Sequence, residues 1–165
     1  MFKKIAWVLA GLFLLIQFVR PDQANPPIDS AVDFQNVATP PTEVLSILRN
    51  ACYDCHSFKS KYPWYAQVAP ASWWLASHIE EGREHLNFSA FGKLPPGDRA
   101  EILGEAAEAV QEGEMPLPSY TWLGLHPEAN LSAAQRNVLV QWLEANGGEG
   151  GGEAGGEAGK GDDDD

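Results

Sequence analysis

The sequence predicts a small all-α domain preceded by a single N-terminal membrane helix. Three observations carry this reading. Apolar residues recur at helical spacing in several segments, cap signals bracket two of them, and no segment shows the alternation expected of a strand.

The first element is the N-terminal apolar run, Ile5 to Val19, broken only by Gly11 and Gln17 and introduced by Lys3 and Lys4. It is shorter than the roughly 20 residues of an ordinary spanning helix and sits at the upper end for a signal-peptide core. The nearest small-residue cleavage site, with Ala24 at −1, has Asp22 at −3, which disfavours processing. Residues 1–20 are therefore expected to be an uncleaved anchor in the inner membrane, with Lys3 and Lys4 on the cytoplasmic side and the rest exported to the periplasm. Residues 21–41 follow as a linker, because Pro21, Pro26, Pro27, Pro40 and Pro41 favour a semi-rigid extended tether.

The domain proper is expected over residues 42–146. A first helix starts near Thr42, carries Val44, Leu45 and Leu48 on one face, and runs into Cys52. A second covers about Ser72 to Leu86 with Trp74, Leu75, His78 and Ile79 on one stripe. A third begins at Asp98, which forms a capping box with Glu101, and ends at Gly113. A fourth opens with a second box, Ser132 with Gln135, carries Val138, Leu139, Trp142 and Leu143, and stops at Asn146-Gly147. Residues 147–165 hold seven acids against one lysine, half of the formal charge of −12, among Gly and Ala. This acidic tail has no apolar face to bury and is expected to be disordered. Without clustered Lys and Arg, nucleic acid is not an expected partner.

Cys52-Tyr53-Asp54-Cys55-His56 is the motif that carries chemistry. Two thiols separated by two residues and followed at once by a histidine form the attachment signature of c-type haem. Each thiol can add across one vinyl group, and His56 then lies under the iron as proximal ligand. The helices would wrap around that flat cofactor. Other readings of the same residues are a dithiol redox pair, a zinc site completed by His78 and His85, and a chance pentapeptide. The redox pair wants strands that the sequence lacks, and the zinc site leaves His56 unexplained.

A sixth ligand is commonly Met or His. Met115, in the stiff loop Gly113-Glu114-Met115-Pro116-Leu117-Pro118, is the one thioether besides the initiator and the favoured distal ligand. His126 and His78 are the less favoured alternatives, and His85 is expected to be partly exposed near Glu81 and Glu84. Arg83, Trp64, Tyr65, Trp73 and Tyr120 are candidate partners for the haem propionates.

At this point the chain resembles the haem-binding domain family, small exported bacterial proteins with one haem, related to cytochromes c. The resemblance runs through Cys52-Tyr53-Asp54-Cys55-His56-Ser57, Tyr62-Pro63-Trp64-Tyr65, Pro70, Ser72-Trp73-Trp74, His78-Ile79 and Gly82-Arg83. It continues through Leu86-Asn87-Phe88-Ser89, Gly113-Glu114-Met115-Pro116, Tyr120, His126-Pro127, Leu131-Ser132 and Trp142. It implies a cytochrome c-like fold, one haem c on Cys52 and Cys55, and iron held by His56 and Met115. Leu117 separates Pro116 from Pro118 where relatives often carry two consecutive prolines. The expected function is an electron carrier rather than an enzyme, exchanging electrons with periplasmic or membrane redox proteins while anchored to the membrane. The alternatives are a haem enzyme or gas or redox sensor with an open distal position, and a haem-bearing subunit of a respiratory complex.

Overall fold

Val44, Ile47 and Leu48 recur one helical turn apart, and all three are buried on the helix Thr42–Ala51. The computed structural model describes residues 1–122 and 124–148. In chain order its α-helices are α1 (Phe2–Ile16), α2 (Phe34–Val37), α3 (Thr42–Ala51), α4 (Tyr53–His56), α5 (Ala71–His85), α6 (Pro96–Glu112), α7 (Pro118–Thr121) and α8 (Ala133–Asn146). Single 3-10 turns occupy Trp64–Gln67, Phe91–Lys93 and Pro127–Ala129, and no strand occurs among the described residues. The described residues are all-α, as the periodicity predicts.

The packing follows from three stripes. Leu103, Ala107 and Val110 of α6 face Leu139, Val140 and Leu143 of α8, and both helices close on Val44, Ile47 and Leu48 of α3. Aromatic rings fill the space between them. Phe34 meets Phe88, Phe91 and Trp142 edge-on at 5.0, 4.9 and 5.8 Å between centroids. A smaller cluster of Ala66, Leu75 and Ile79 lies under α5, with Cys55, Tyr62 and Tyr65 against it.

The Ser132–Gln135 box forms as the sequence predicts and starts α8. The box at Asp98 does not form. Helix α6 begins two residues earlier, at Pro96, with Pro95 as an N-cap that makes no side-chain bond. A proline at the first helical position has its backbone angle preset and no N–H to leave unpaired, so it starts the helix before Asp98 can cap it. Asp98 is left inside the first turn, where its charge favours the helix dipole. Gly113 ends the helix with φ 81°, a left-handed conformation that a side chain would strain.

One further expectation is corrected. The segment 21–41 is not a tether along its length. Asp33 caps α2 and is fully buried against the Lys59 ammonium at 2.7 Å, and Phe34 is 0% exposed in the main core. The Phe34 N–H donates to the Phe88 carbonyl at 2.8 Å and the Gly92 N–H to the Val32 carbonyl at 2.8 Å, so this stretch is part of the domain. The expected membrane helix is the remaining element of the N-terminal part. Helix α1 has 15 residues, none of them buried, a length of about 22 Å against a hydrocarbon core of about 30 Å. Among the described residues no helix is long and apolar enough to cross a membrane. The predicted disordered tail, apart from Gly147 and Gly148, lies outside the described residues.

Removing the Phe34 ring is expected to lower the unfolding free energy by about 3–5 kcal/mol, measured by chemical denaturation, whereas Trp64→Ala at the surface should cost less than about 0.5 kcal/mol. A Phe34→Ala effect as small as that of Trp64→Ala would make the segment a tether after all.

Candidate functional site

Helix α3 ends at Cys52, whose N–H still donates to the Leu48 carbonyl at 2.9 Å. The chain then makes one further turn, α4, in which the Cys55 and His56 N–H groups donate back to the Cys52 carbonyl at 3.2 and 2.9 Å. That turn brings both thiols and the imidazole into one short stretch. The residues between the cysteines anchor it. Tyr53 is buried and stacked on Phe88 at 4.8 Å. Asp54 accepts from the Lys61 N–H at 3.0 Å and from the Tyr120 hydroxyl at 3.2 Å.

His56 is gripped on both its polar ends. Its Nδ1 lies 3.0 Å from the Leu86 carbonyl, and its own carbonyl accepts from the Phe88 N–H at 2.8 Å. A carbonyl only accepts, so Nδ1 carries the proton and Nε2 keeps its lone pair, the tautomer a metal-ligating imidazole needs. Burial lowers the His56 pKa below 6.5, with the bond to Leu86 opposing. Helix α5 runs directly behind the motif. A methyl group at Gly82 would stand 3.3 Å from the Cys55 carbonyl and 3.4 Å from His56 Cε1, so a side chain here would crowd the motif by a few tenths of an ångström.

These groups open on a cavity of about 470 Å³, within the roughly 300–1,000 Å³ typical of ligand and cofactor sites. Cys52, Cys55 and His56 line it together with Leu48 of α3, Leu75 of α5, Ile102, Ala106 and Val110 of α6, and Leu139 and Leu143 of α8. Met115, Pro116 and Leu117 line it from the loop after α6, where the Met115 N–H is fixed on the Ala109 carbonyl at 3.0 Å. Its polar rim consists of Glu81, Glu105, Glu114, His78, His85 and Tyr120, with no lysine or arginine.

The expected haem contacts divide accordingly. Tyr120 and His78 border the cavity; Trp64, Arg83 and His126 do not. Trp64 is 74% exposed. Arg83 turns behind the motif, donating from Nε to the Ser57 carbonyl at 2.9 Å and from its terminal nitrogen to Ser60 Oγ at 3.0 Å and Asn25 Oδ1 at 3.1 Å. It braces the loop after His56 and does not line the cavity where a propionate contact is expected. His126 is 7% exposed, 2.6 Å from the Tyr65 hydroxyl, stacked on Tyr120 at 3.8 Å and 3.4 Å from Glu128. Its Nε2 is engaged by Tyr65 and it does not line the cavity, which disfavours it as an axial ligand. His78 lines the cavity and holds its Nδ1 on the Trp74 carbonyl at 2.9 Å.

The competing chemistries fit less well. No three His, Cys, Asp or Glu side chains among the described residues are grouped to hold a metal ion, which disfavours a zinc site with His78 and His85. Burial pushes the Cys52 thiol up to about 12 and the Cys55 thiol up to about 11, with neighbouring Cys55 and Asp54 adding to the respective shifts. A dithiol centre works through a thiolate, so these thiols are poorly placed for exchange. Protonated thiols beside an apolar cavity, with a prepared imidazole in the same turn, fit a haem. Gly82, Leu86 and Phe88 are the site residues whose roles sequence reasoning missed. A glycine inside an amphipathic helix, costing about 1 kcal/mol relative to alanine, was the available signal for the first.

The haem-binding domain family matches residues 11–145, and the chain belongs to that family. No curated protein and no solved structure matches it.

His56 also sets an acid limit on the haem-free fold. Its folded pKa is depressed, so below about pH 6.5 the unfolded chain binds the proton that the folded chain excludes. Stability is present above that pH and is lost on acidification towards the lowered pKa, with a slope of up to about 1.4 kcal/mol per pH unit. Denaturation of haem-free protein between pH 7.5 and pH 5 on the order of half-unit steps should show this loss, and His56→Gln should flatten it. An equally steep loss in His56→Gln would remove His56 as the cause.

Proposed function

We propose that this member of the haem-binding domain family is a cytochrome c-like electron carrier. One haem is bound through thioethers to Cys52 and Cys55, and His56 and Met115 are its iron ligands. The observation that carries the reading is that Cys52, Cys55, His56 and Met115 line one largely apolar cavity. When bound, haem supplies a one-electron couple, and a thioether ligand raises its potential relative to a second histidine.

The chain's own residues do the rest. Leu86 and Phe88 fix the orientation and tautomer of His56, and Gly113 with Ala109 fixes where Met115 begins. Leu75, Ile102, Val110, Leu139 and Leu143 exclude water from the cavity. With both axial positions filled by side chains, no position remains for a substrate, which is why a carrier is favoured over an enzyme. The acidic surface suits a redox partner with a basic docking patch and predicts salt-dependent association. Helix α1, apolar and unburied, supports membrane association, and in this reading the haem domain lies on the exported side near membrane-bound partners.

One observation favours a second reading. His78 borders the same cavity with its Nδ1 fixed on the Trp74 carbonyl, and an enzyme or sensor would need such a distal histidine. The two readings separate spectroscopically. Oxidised parent protein should show the weak long-wavelength charge-transfer band of thioether-ligated ferric haem, and its reduced form should resist CO. Met115→Ala should abolish the band and admit CO. A parent that lacks the band and binds CO readily would reject the closed site and favour the distal-histidine reading.

A further inference from the structure

Residues 62–79 contain no Asp, Glu, Lys or Arg in a chain of which 21% is charged, and they hold three of its six tryptophans. Helix α1 is fastened to this same segment. Gln17, at the C-terminal end of α1, accepts from the Ala69 N–H at 2.9 Å and donates to the Ala69 carbonyl at 3.1 Å. Trp73 Nε1 donates to the Val19 carbonyl at 2.7 Å, and Gln23 Nε2 to the Ala66 carbonyl at 2.5 Å. A freely swinging anchor needs none of these bonds. Gln17 is the polar residue that interrupts the apolar run, and the backbone of Ala69 satisfies both ends of its amide.

Helix α6 carries Asp98, Glu101, Glu105, Glu108 and Glu112 against Arg99, whereas 62–79 is uncharged between Lys59 and Lys61 on one side and Glu80 and Glu81 on the other. Trp64 stands 74% exposed on the uncharged segment, beside Tyr65 at 5.9 Å. An uncharged face approaches a bilayer without stripping water from ions, and tryptophan settles at the headgroup level, where its ring is half in hydrocarbon and its N–H remains wet. Acidic α6 would be repelled by anionic lipid.

From this we infer that the uncharged segment around Trp64 is a lipid-facing surface. The Gln17–Ala69 clamp seats the haem domain on the bilayer in one orientation, with acidic α6 left in water for the redox partner. The inference rests on the membrane part of the proposed function and adds the face and the clamp.

The test uses haem-loaded full-length chain reconstituted in phosphatidylethanolamine–phosphatidylglycerol vesicles, with a nitroxide on Trp64→Cys or, as control, on Glu108→Cys. Co-sedimentation is measured first, then broadening of the label signal by oxygen, which partitions into lipid, and by a water-soluble nickel chelate. The label at 64 should respond to oxygen and be shielded from nickel, and the label at 108 should behave in the opposite way. Adding Gln17→Ala should open position 64 to nickel while the chain still sediments with vesicles; an unchanged shielding would overturn the clamp. If the chain does not sediment with vesicles, the membrane reading and this inference fall together. If it sediments but position 64 is as open to nickel as position 108, anchoring stands and the lipid seat is overturned. Shielding found only in native membranes would assign the face to a protein partner and also overturn it.

Discussion

The grip of residues 86–88 on His56 is the constraint on which the rest of the structure depends. The Leu86 carbonyl holds the imidazole at 3.0 Å and the Phe88 N–H holds the His56 carbonyl at 2.8 Å. A segment three residues long therefore fixes both the side chain and the backbone of the proposed proximal ligand. The segment can reach because α5 passes close behind the motif, and α5 can pass because Gly82 presents no side chain to Cys55 and His56. Phe88 then turns its ring onto Tyr53, inside the Cys-x-x-Cys spacing, so the motif is clamped through its variable residues as well as its histidine.

Core and site are one body in this domain. Leu48, Phe88, Val110, Leu139 and Leu143 belong to the main hydrophobic core and also line the cavity. A domain of about a hundred residues buries a modest fraction of its surface, so a flat apolar cofactor in that cavity would extend the core that α3, α6 and α8 begin. The same economy explains why the stretch before α3 folds inward. Phe34 supplies a ring that three other aromatic residues surround, and the buried Asp33–Lys59 pair fixes where it enters.

The parts legible in the sequence were those written locally. The stripe of α3, the Ser132–Gln135 box of α8 and the haem motif each lie within one or two helical turns, so their residue types and spacing suffice. The start of α6 was misjudged because Asp98 and Glu101 satisfy a capping pattern that Pro95-Pro96 pre-empts. Segment 21–41 was misjudged because its prolines describe an extended backbone and say nothing about where Phe34 points. Arg83 and Trp64 illustrate the limit at the site. Arginine and tryptophan are chemically apt for propionates, but whether they face the cavity is decided by how α5 and the turn before it pack. Met115 and Tyr120 do border the cavity, and the loop they share is tied to the motif through Asp54.

The measurement that bears most directly on the central claim is the intact mass of the exported protein under denaturing conditions. Covalent attachment through Cys52 and Cys55 predicts a single species heavier than the polypeptide by one haem, with the haem retained after acidified organic extraction and lost in the Cys52→Ala, Cys55→Ala double variant. A polypeptide of unmodified mass that releases its haem into the organic phase would contradict the account and leave the cavity as a site for haem held without thioethers.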